Sequence, residues 1–202
     1  MTDAPPSPEF GTPLPVQAAP EVIDFLRRRR STPAVTLAEP APSPAEIDEL
    51  IRLATRVPDH GKLAPWRFVV LEGADKAAFA DRLDQLAQAR GDQTAAAKLA
   101  KLKTPPLAIA VIAAPRAGAI PEWEQLLSAG AVCTTLTYAA LAMGYGANWI
   151  TDWYAYNPEA CAILGLQPAE KVAGFILLGT PREAPLERER PDAASLTSRW
   201  RG

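Results

Sequence analysis

The sequence has little of the residues that hold metals or form covalent catalysts, with two cysteines and one histidine among 202 residues. Cys133 and Cys161 are too few for a disulfide framework or a thiolate cluster, and His60 alone cannot build a histidine-rich metal site. We therefore expect no metal site, and any triad that needs histidine has to use His60. The formal net charge of -2 gives the whole chain no general attraction to nucleic acid or anionic membranes.

The sequence also lacks the marks of secreted and membrane proteins. No positively charged start precedes an apolar stretch, and we expect no later run to reach the roughly 20 apolar residues that span a bilayer. We predict a soluble, cytoplasmic protein whose two cysteines stay reduced. Gly-x-Ser-x-Gly and P-loop motifs are absent too, which removes two common classes of hydrolase from consideration.

Proline, by contrast, is abundant, with 21 residues against 12 glycines. Residues 1–20 contain six of these prolines among small polar residues, and such a segment cannot bury enough apolar surface to offset the entropy of ordering. We predict a disordered, proline-rich extension over 1–20. Residues 21–202 are long enough for a single domain, which ends in a charged tail of about 20 residues.

The remaining sequence alternates helical and extended patterns. Helices are predicted where apolar residues recur at helical spacing, and strands where β-branched or continuous apolar runs are short. Helices are expected over 21–30, 44–54, 76–90, 94–103, 122–143 and 158–164, and extended segments over 66–71, 107–113, 149–151 and 171–178. Ser43 and Glu46 have the spacing of a capping box at the start of the second helix. Helices flanking few strands favour an α+β or α/β sandwich over a bundle.

Four consecutive arginines, Arg27 to Arg30, and then Ser31 end the first predicted helix. Guanidinium groups and a hydroxyl suit a phosphate, because planar bidentate donors match its oxygens. A solvated basic helix end, favoured by the helix dipole, explains the run equally well. A nucleic-acid patch is a third interpretation, although the chain is acidic and nearby aromatic residues are few.

A second candidate is the loop over 56–66, which has two prolines and concentrates charge at Arg56, Asp59, His60 and Lys62. Rigid loops of this kind hold polar groups on a fixed scaffold and often carry function. A single histidine is more often a cap or surface residue than part of a site, but the charged neighbours favour a site here. Both interpretations stay open.

The glycines at 144 and 146 form a third candidate. They suggest a dinucleotide fingerprint, but that motif needs a strand before it and a helix after it, whereas here a helix precedes and an extended segment follows. We reject the Rossmann interpretation. A helix C-cap and turn is the structural reading, and the same glycines would let backbone amides approach a planar ligand.

Several short motifs now occur together in one order. They are Arg-Arg-Ser at 29–31, Ala-Glu-Pro-Ala-Pro at 38–42, Arg-x-Pro-Asp-His at 56–60, Pro-Trp at 65–66, Trp-Glu-Gln at 123–125, Ser-Ala-Gly at 128–130, Gly-Tyr-Gly-x-x-Trp at 144–149 and Gly-Thr-Pro at 179–181. The ordered set resembles the nitroreductase family, within it the short YdjA-like branch, over about 22–181. The resemblance implies an α+β, three-layer sandwich, with a mixed, mainly antiparallel sheet between helices. It also implies an intertwined homodimer with one FMN at each of two interface sites.

The resemblance assigns roles to individual residues. The expected FMN ligands are Arg29, Arg30 and Ser31 for the phosphate and ribityl chain, Arg56 and His60 from the proline-containing loop, and Trp149, Ile150 and Thr151 beside the ring; Arg188 and Arg190 are further phosphate candidates. The segment that matches nicotinamide-cofactor binding is Ala139, Ala140, Leu141, Ala142, Met143 and Gly144. The loop lacks the serine and asparagine of larger relatives, so a backbone amide is expected to make their contact to the flavin.

The predicted function is that of an oxidoreductase that passes hydride from NADH or NADPH through FMN to a small acceptor, such as a nitroaromatic or quinone, in a ping-pong exchange. No metal, nucleic acid or membrane partner is expected. The long apolar helix over 122–143 would pack against its twin in the dimer. A flavin-binding or flavin-storage module with little turnover is the alternative, and nucleic-acid binding through Arg27 to Arg30 is a distant third.

Overall fold

The computed structural model describes residues 8–202, so the first seven residues of the predicted extension lie outside it. Residues 8–19 form no helix or strand, and almost all of them are exposed. The disorder of this segment therefore stays a prediction.

Seven α-helices, three short 3-10 helices and five strands follow in the described chain. The α-helices are α1 (Pro20–Arg28), α2 (Pro44–Ala54), α3 (Gly73–Ala89), α4 (Gln93–Lys98), α5 (Ala100–Lys103), α6 (Glu122–Ala142) and α7 (Pro158–Ile163). The strands are β1 (Leu37–Ala38), β2 (Trp66–Glu72), β3 (Leu107–Ala113), β4 (Gly146–Ile150) and β5 (Lys171–Pro181). The capping box of α2 is confirmed, because the amide and hydroxyl of Ser43 both donate to the Glu46 carboxylate, at 2.9 and 2.7 Å.

Several boundaries differ from the prediction: α1 ends at Arg28 rather than at residue 30, α3 begins at Gly73, and β5 continues to Pro181. The single helix expected over 94–103 is two helices, because the chain tightens at Leu99, whose amide donates to the carbonyl of Ala96 at 3.1 Å. That tight turn keeps Leu99 and Leu102 both fully buried. Strand β4 begins earlier than expected and ends before Thr151, and the two-residue β1 is too short for any periodic signal.

The described strands form one sheet in which every pairing is antiparallel, where the resemblance implied a mixed sheet. Strand β5 lies between β3 and β4, since Ile176 stands opposite both Ile109 and Trp149. Strand β2 continues the sheet beyond β3, and the last residues of β5 pair with β1. This arrangement puts β4 next to the end of the chain's longest strand.

Helices cover both faces of the sheet. The continuously apolar β3 is buried along its whole length, and its residues alternate between two cores as strand geometry requires. Ala108, Ala110 and Ile112 join the core under α3 and α7, whereas Ile109 and Val111 join the core under α2 and α6. The predicted three-layer α+β sandwich is confirmed.

Helix α6 corrects one expectation from the sequence. It is the single helix in the described chain that is long and apolar enough to cross a membrane by length and composition. However, 44% of its most apolar window is buried inside the molecule, where it packs against α2, β4 and β5. It is therefore a core helix, and its exposed apolar residues are Trp123 and Leu127 near its start.

Candidate functional site

The loop that follows α1 is bound to strand β4. The amide of Thr32 donates to the carbonyl of Ala147 at 2.9 Å, and the side chain of Asn148 donates to the carbonyl of Thr32 at 2.5 Å. Thr32 is buried between these contacts. These contacts bring the Arg-Arg-Ser segment next to β4 at Ala147 and Asn148, although more than 100 residues separate the two in the sequence.

Trp149 forms an aromatic surface on this side of the sheet. Its indole nitrogen donates to the carbonyl of Ala173 at 3.2 Å, and its ring lies over Gly174 on β5. A Cβ atom at Gly174 would collide with the indole, so glycine is required there. Just beyond the strand, the Thr151 hydroxyl accepts a hydrogen bond from the Tyr156 hydroxyl at 2.9 Å. The predicted ring-flanking residues thus sit on a firmly supported edge.

Arg29 turns inward rather than toward solvent. Its guanidinium lies 5.4 Å from the ring centroid of Tyr138 on α6, in cation–π geometry. Its Nε atom is buried and has no hydrogen-bond partner among the described residues. A buried N–H without an acceptor is unfavourable, especially on a charged group. This position therefore lacks an acceptor, and an oxyanion would supply one.

Arg30 and Ser31 border a cavity of about 490 Å³ whose other wall is the C-terminal tail. The Nε of Arg30 donates to the carbonyl of Leu186 at 2.9 Å and lies 3.6 Å from the Glu187 carboxylate. The amide of Arg188 and the guanidinium of Arg190 donate to the same carboxylate, at 2.7 and 2.9 Å.

These contacts lower the pKa of Glu187, with the amide of Arg188 the largest cause and the charges of Arg190 and Arg30 adding to it. An oxyanion already occupies this cluster in the form of a carboxylate. Arg188, which the resemblance made a candidate through its guanidinium, contributes its backbone amide here.

The arginines at and just after the end of α1 have different partners. Arg28 pairs with Asp24 at 2.9 Å, whereas Arg29 contacts Tyr138 and Arg30 contacts the C-terminal tail. They form no continuous basic strip of the kind that follows a nucleic-acid backbone.

The proline-containing loop over 56–66 is rigid. Asp59 accepts a hydrogen bond from the amide of Ala64 at 2.7 Å, and the Ser128 hydroxyl on α6 donates to the carbonyl of Pro58 at 2.8 Å. Lys62 and Ala64 have φ angles of 55° and 45°, a left-handed conformation that side chains other than glycine seldom adopt. Such strain persists only where surrounding contacts fix the backbone, and it is common at ligand sites.

His60, at the tip of this loop, has its Nδ1 atom 2.5 Å from a carboxylate oxygen of Glu124 on α6. Arg29, by contrast, lies against Tyr138 near the other end of α6. Fourteen residues of helix separate Glu124 from Tyr138, a rise of about 21 Å at the usual pitch. One chain therefore does not bring His60 to the Arg29 cluster.

Residues 139–144 form the last turn of α6 and its C-cap. Ala140 is fully buried in the core, so its side chain is not available to a cofactor in this chain, and the nicotinamide assignment of the segment stays a prediction. Ala139 and Ala142 line an apolar groove of about 580 Å³ between α1 and α6, with Phe25 and Arg56 on its other walls. The groove, rather than the whole segment, is the surface available to a ligand or partner.

Three residues with clear roles in this geometry, Glu124, Tyr138 and Glu187, were not assigned any role from the sequence. Only Glu124 had a signal, because it belongs to the Trp-Glu-Gln motif and lies four residues before Ser128, on one helix face. Both side chains reach the loop over 56–66. Tyr138 and Glu187 have no local pattern that marks them.

Another cavity, of about 730 Å³, lies away from these residues, beside α3. Its buried Lys76 donates to the carbonyl of Lys103 at 3.0 Å, and burial lowers the pKa of the Lys76 ammonium. Lys103 and Arg182 share the wall with Glu39 and Asp81, so the cationic and acidic side chains there are nearly balanced. Within residues 8–202, no three histidine, cysteine or acidic side chains are grouped as metal ligands.

Comparison with known proteins gives a consistent result. The family model described as Nitroreductase family matches residues 26–180. YdjA of Escherichia coli strain K12, which carries the provisional name NAD(P)H nitroreductase, is 33% identical over 165 residues, covering 80% of this chain and 89% of its own. A nitroreductase-like family protein from Bacillus cereus superimposes with a TM-score of 0.78 at 19% identity, over 94% of this chain and all of its own. A Bacteroides fragilis nitroreductase with bound FMN has a TM-score of 0.70 at 17% identity, over 90% of this chain and 99% of its own.

Proposed function

Since this chain belongs to the nitroreductase family, we propose that it is an FMN-dependent oxidoreductase that takes electrons from NADH or NADPH. The observation that carries the proposal is the buried, unpartnered Nε of Arg29 beside an arginine cluster that already binds a carboxylate. A phosphate is the ligand that such a pair of arginines and a neighbouring hydroxyl recognise best.

The residues around this point suit FMN in shape as well as charge. Arg29, Arg30 and Ser31 would bind the phosphate and the start of the ribityl chain. Trp149, Ile150 and Thr151 would flank the ring along the supported edge of β4. Bound FMN supplies the hydride chemistry itself, and these residues bind it, orient it and exclude water from one side. Arg190 would join the phosphate site through the carboxylate that it shares with Arg30.

A homodimer with two shared FMN sites is the second part of the proposal. The separation of about 21 Å along α6 between Glu124, which contacts His60, and Tyr138, which contacts Arg29, supports it, because one chain then holds the two groups at opposite ends of that helix. His60, at the tip of its loop, would reach the FMN held by the partner's arginines, whereas Arg56, which lines the groove beside Tyr138, would approach the FMN held by its own chain. The exposed Trp123 and Leu127 and the apolar groove beside Ala139 would supply the hydrophobic contact that obligate dimers need.

We further propose a ping-pong exchange in which the oxidised nicotinamide leaves before a small acceptor, such as a nitroaromatic or a quinone, takes its place. A cytoplasmic location agrees with the free thiols of Cys133 and Cys161. A flavin-storage role would use the same cofactor residues, so turnover is what separates the two functions.

An anaerobic titration tests the proposal. The purified protein is reconstituted with FMN, and NADPH and then NADH are added while the flavin absorbance is followed. Rapid bleaching, with recovery of the colour when a quinone is added, is expected. Slow bleaching would favour storage, and failure to bind FMN would overturn the proposal. Binding to DNA or RNA at low salt, falling steeply as salt rises, would favour the nucleic-acid interpretation instead.

The shared site has a separate test with two variants, Arg29→Met and His60→Ala. In a two-site dimer of the proposed kind, a mixed dimer pairs one chain of each variant. One of its sites then contains both substitutions, and the other contains the wild-type Arg29 and the wild-type His60. A heterodimer purified with two different tags should therefore bind one FMN with nearly normal affinity, although each variant homodimer binds weakly. If the heterodimer is as weak as the homodimers, both residues act within one chain and the shared site is excluded.

A further inference from the structure

The first two turns of α6 carry three side chains that hold the neighbouring loops in place. Glu124 contacts the ring of His60, and Ser128 donates to the carbonyl of Pro58. Gln125, which is almost fully buried, forms three hydrogen bonds to the backbone of the loop that precedes the helix, at 2.8 to 3.0 Å. These residues belong to the Trp-Glu-Gln and Ser-Ala-Gly motifs, to which the flavin site described above assigns nothing.

The contact between Glu124 and His60 has a definite chemical meaning. The Nδ1 and Oε2 atoms are 2.5 Å apart, and an ionised carboxylate can only accept a hydrogen bond. The hydrogen therefore belongs to Nδ1. The other ring nitrogen, Nε2, has no hydrogen-bond partner among the described residues, and the His60 side chain is 60% exposed. In the neutral ring, Nε2 is then an acceptor with a fixed direction.

The position of Glu124 is itself fixed. It lies in the first turn of α6, where the helix dipole favours a negative charge. Gln125, next to it, anchors that turn, and the strained loop carries His60 on a backbone with few alternatives. Both partners of the hydrogen bond thus sit on rigid supports, which reduces the entropy lost in holding the ring.

We propose that Glu124 is a positioning residue for the flavin site: it holds His60 with the hydrogen on Nδ1 and so leaves Nε2 as the ring nitrogen that faces the ligand. This inference rests on the proposed function. The competing view is an exposed ion pair with no role in binding, since pairs of this kind contribute little to folding. The two views differ in what the loss of Glu124 does to the imidazole and to FMN.

The single histidine of the chain makes the first measurement direct. The ¹⁵N chemical shifts of the imidazole can be assigned without ambiguity in the FMN-free protein at alkaline pH, where the ring is neutral. The wild type should carry its hydrogen on Nδ1. In Glu124→Gln, whose amide can donate or accept, the tautomer should shift toward Nε2–H. Glu122→Gln is the matched control, because it removes another first-turn carboxylate, one that pairs with Lys171 at 2.6 Å, and should leave the imidazole unchanged.

The second measurement is FMN affinity by fluorescence quenching. Glu124→Gln should weaken binding by about 3- to 10-fold, because it loosens one charge-assisted hydrogen bond that positions a ligand group. In a His60→Ala background, Glu124→Gln should have no further effect on FMN affinity, because Glu124 acts only through the imidazole; Glu122→Gln alone should bind FMN normally. Thermal melting of each variant checks that it is folded.

Two outcomes overturn the inference: an Nε2–H tautomer in the wild type, or FMN affinity that Glu124→Gln leaves unchanged. Neither depends on turnover. If the wild type itself binds no FMN, the proposed function fails and this inference with it; if the wild type binds FMN and Glu124→Gln binds it equally well, only the role of Glu124 is lost.

Discussion

Replacing Arg29 by methionine should change the free and the FMN-bound protein in opposite directions. Arg29 is half-buried, its Nε has no partner among the described residues, and its guanidinium lies over Tyr138. Methionine keeps most of the apolar stem, so packing against α6 is largely preserved. What changes is the charge and the unpartnered N–H.

In the FMN-free protein, two effects compete. Removing a buried donor that has no acceptor relieves about 1 to 3 kcal/mol, whereas losing the contact with Tyr138 forfeits about 0.5 to 1 kcal/mol. The first effect is larger, so Arg29→Met should raise the free energy of unfolding by about 1 kcal/mol. For a chain of this size the melting temperature should rise by about 2 to 4 °C.

With FMN present, the sign reverses. A hydrogen bond between a charged group and its partner contributes about 1.5 to 3 kcal/mol, which corresponds to an FMN dissociation constant about 10 to 100 times larger in the variant. Arg27→Met is the matched control, since Arg27 is exposed on the same helix end and its charge is screened at physiological salt. It should change FMN affinity by less than about threefold.

Differential scanning fluorimetry without FMN and a binding titration with FMN measure both effects on the same samples. A variant that melts lower without FMN would mean that Arg29 stabilises the fold itself. Equal losses of FMN affinity in Arg29→Met and Arg27→Met would refute the phosphate assignment, since a general electrostatic attraction would then explain both.

Two further predictions concern acidic residues. Glu170 accepts two hydrogen bonds from Arg67 at 2.7 Å, and these lower the pKa of the Glu170 carboxyl. The pair therefore stabilises the fold at pH values above the unfolded pKa near 4.5, and this stabilisation is lost as the pH falls through the lower pKa of the folded state. Glu170→Gln should lower the free energy of unfolding by about 1 to 2 kcal/mol at pH 7 and by much less near pH 3, as urea unfolding would measure; an equal loss at both pH values contradicts this. Glu187→Gln should tighten FMN binding by about 2- to 5-fold at low salt, because it removes a negative charge beside Arg30 where the phosphate would lie, and weaker binding in calorimetry would instead make Glu187 a support for that arginine.

The elements that the sequence predicts well are those whose signal is local. Strand β3 has the predicted bounds because a continuous apolar run behind two prolines leaves little alternative, and the capping box of α2 needs only two side chains three residues apart. The break at Leu99 was missed because both halves have helical composition, and only the burial of two leucines selects the tighter turn. Strand β1 exists only because β5 extends far enough to pair with it.

The contacts of the candidate site, by contrast, are mostly between residues far apart in the sequence. The proximity of the Arg-Arg-Ser segment to β4 depends on Thr32, an unremarkable residue in the sequence whose backbone joins the two. The inward turn of Arg29 depends on a tyrosine more than 100 residues away, and the occupation of Arg30 depends on a tail residue. None of these partners has a fixed spacing from the residue it contacts, so a pattern along the chain cannot reveal them.

Helix α6 explains why order along the chain also misleads about which residues share a site. Its composition needs both faces covered, and the chain covers only part of them, leaving Trp123 and Leu127 exposed at one end and the groove beside Ala139 at the other. The same helix contacts His60 through Glu124 at its start and Arg29 through Tyr138 near its end, two positions about 21 Å apart along the helix axis. A second copy of the chain that covered the exposed faces of α6 would also bring a second His60 loop to the arginine cluster. Dimerisation would therefore bury the apolar surface of α6 and complete the ligand site in the same step. The dimer is thus expected from packing and from the site independently, and a monomeric protein that still binds FMN through both residues would contradict both arguments at once.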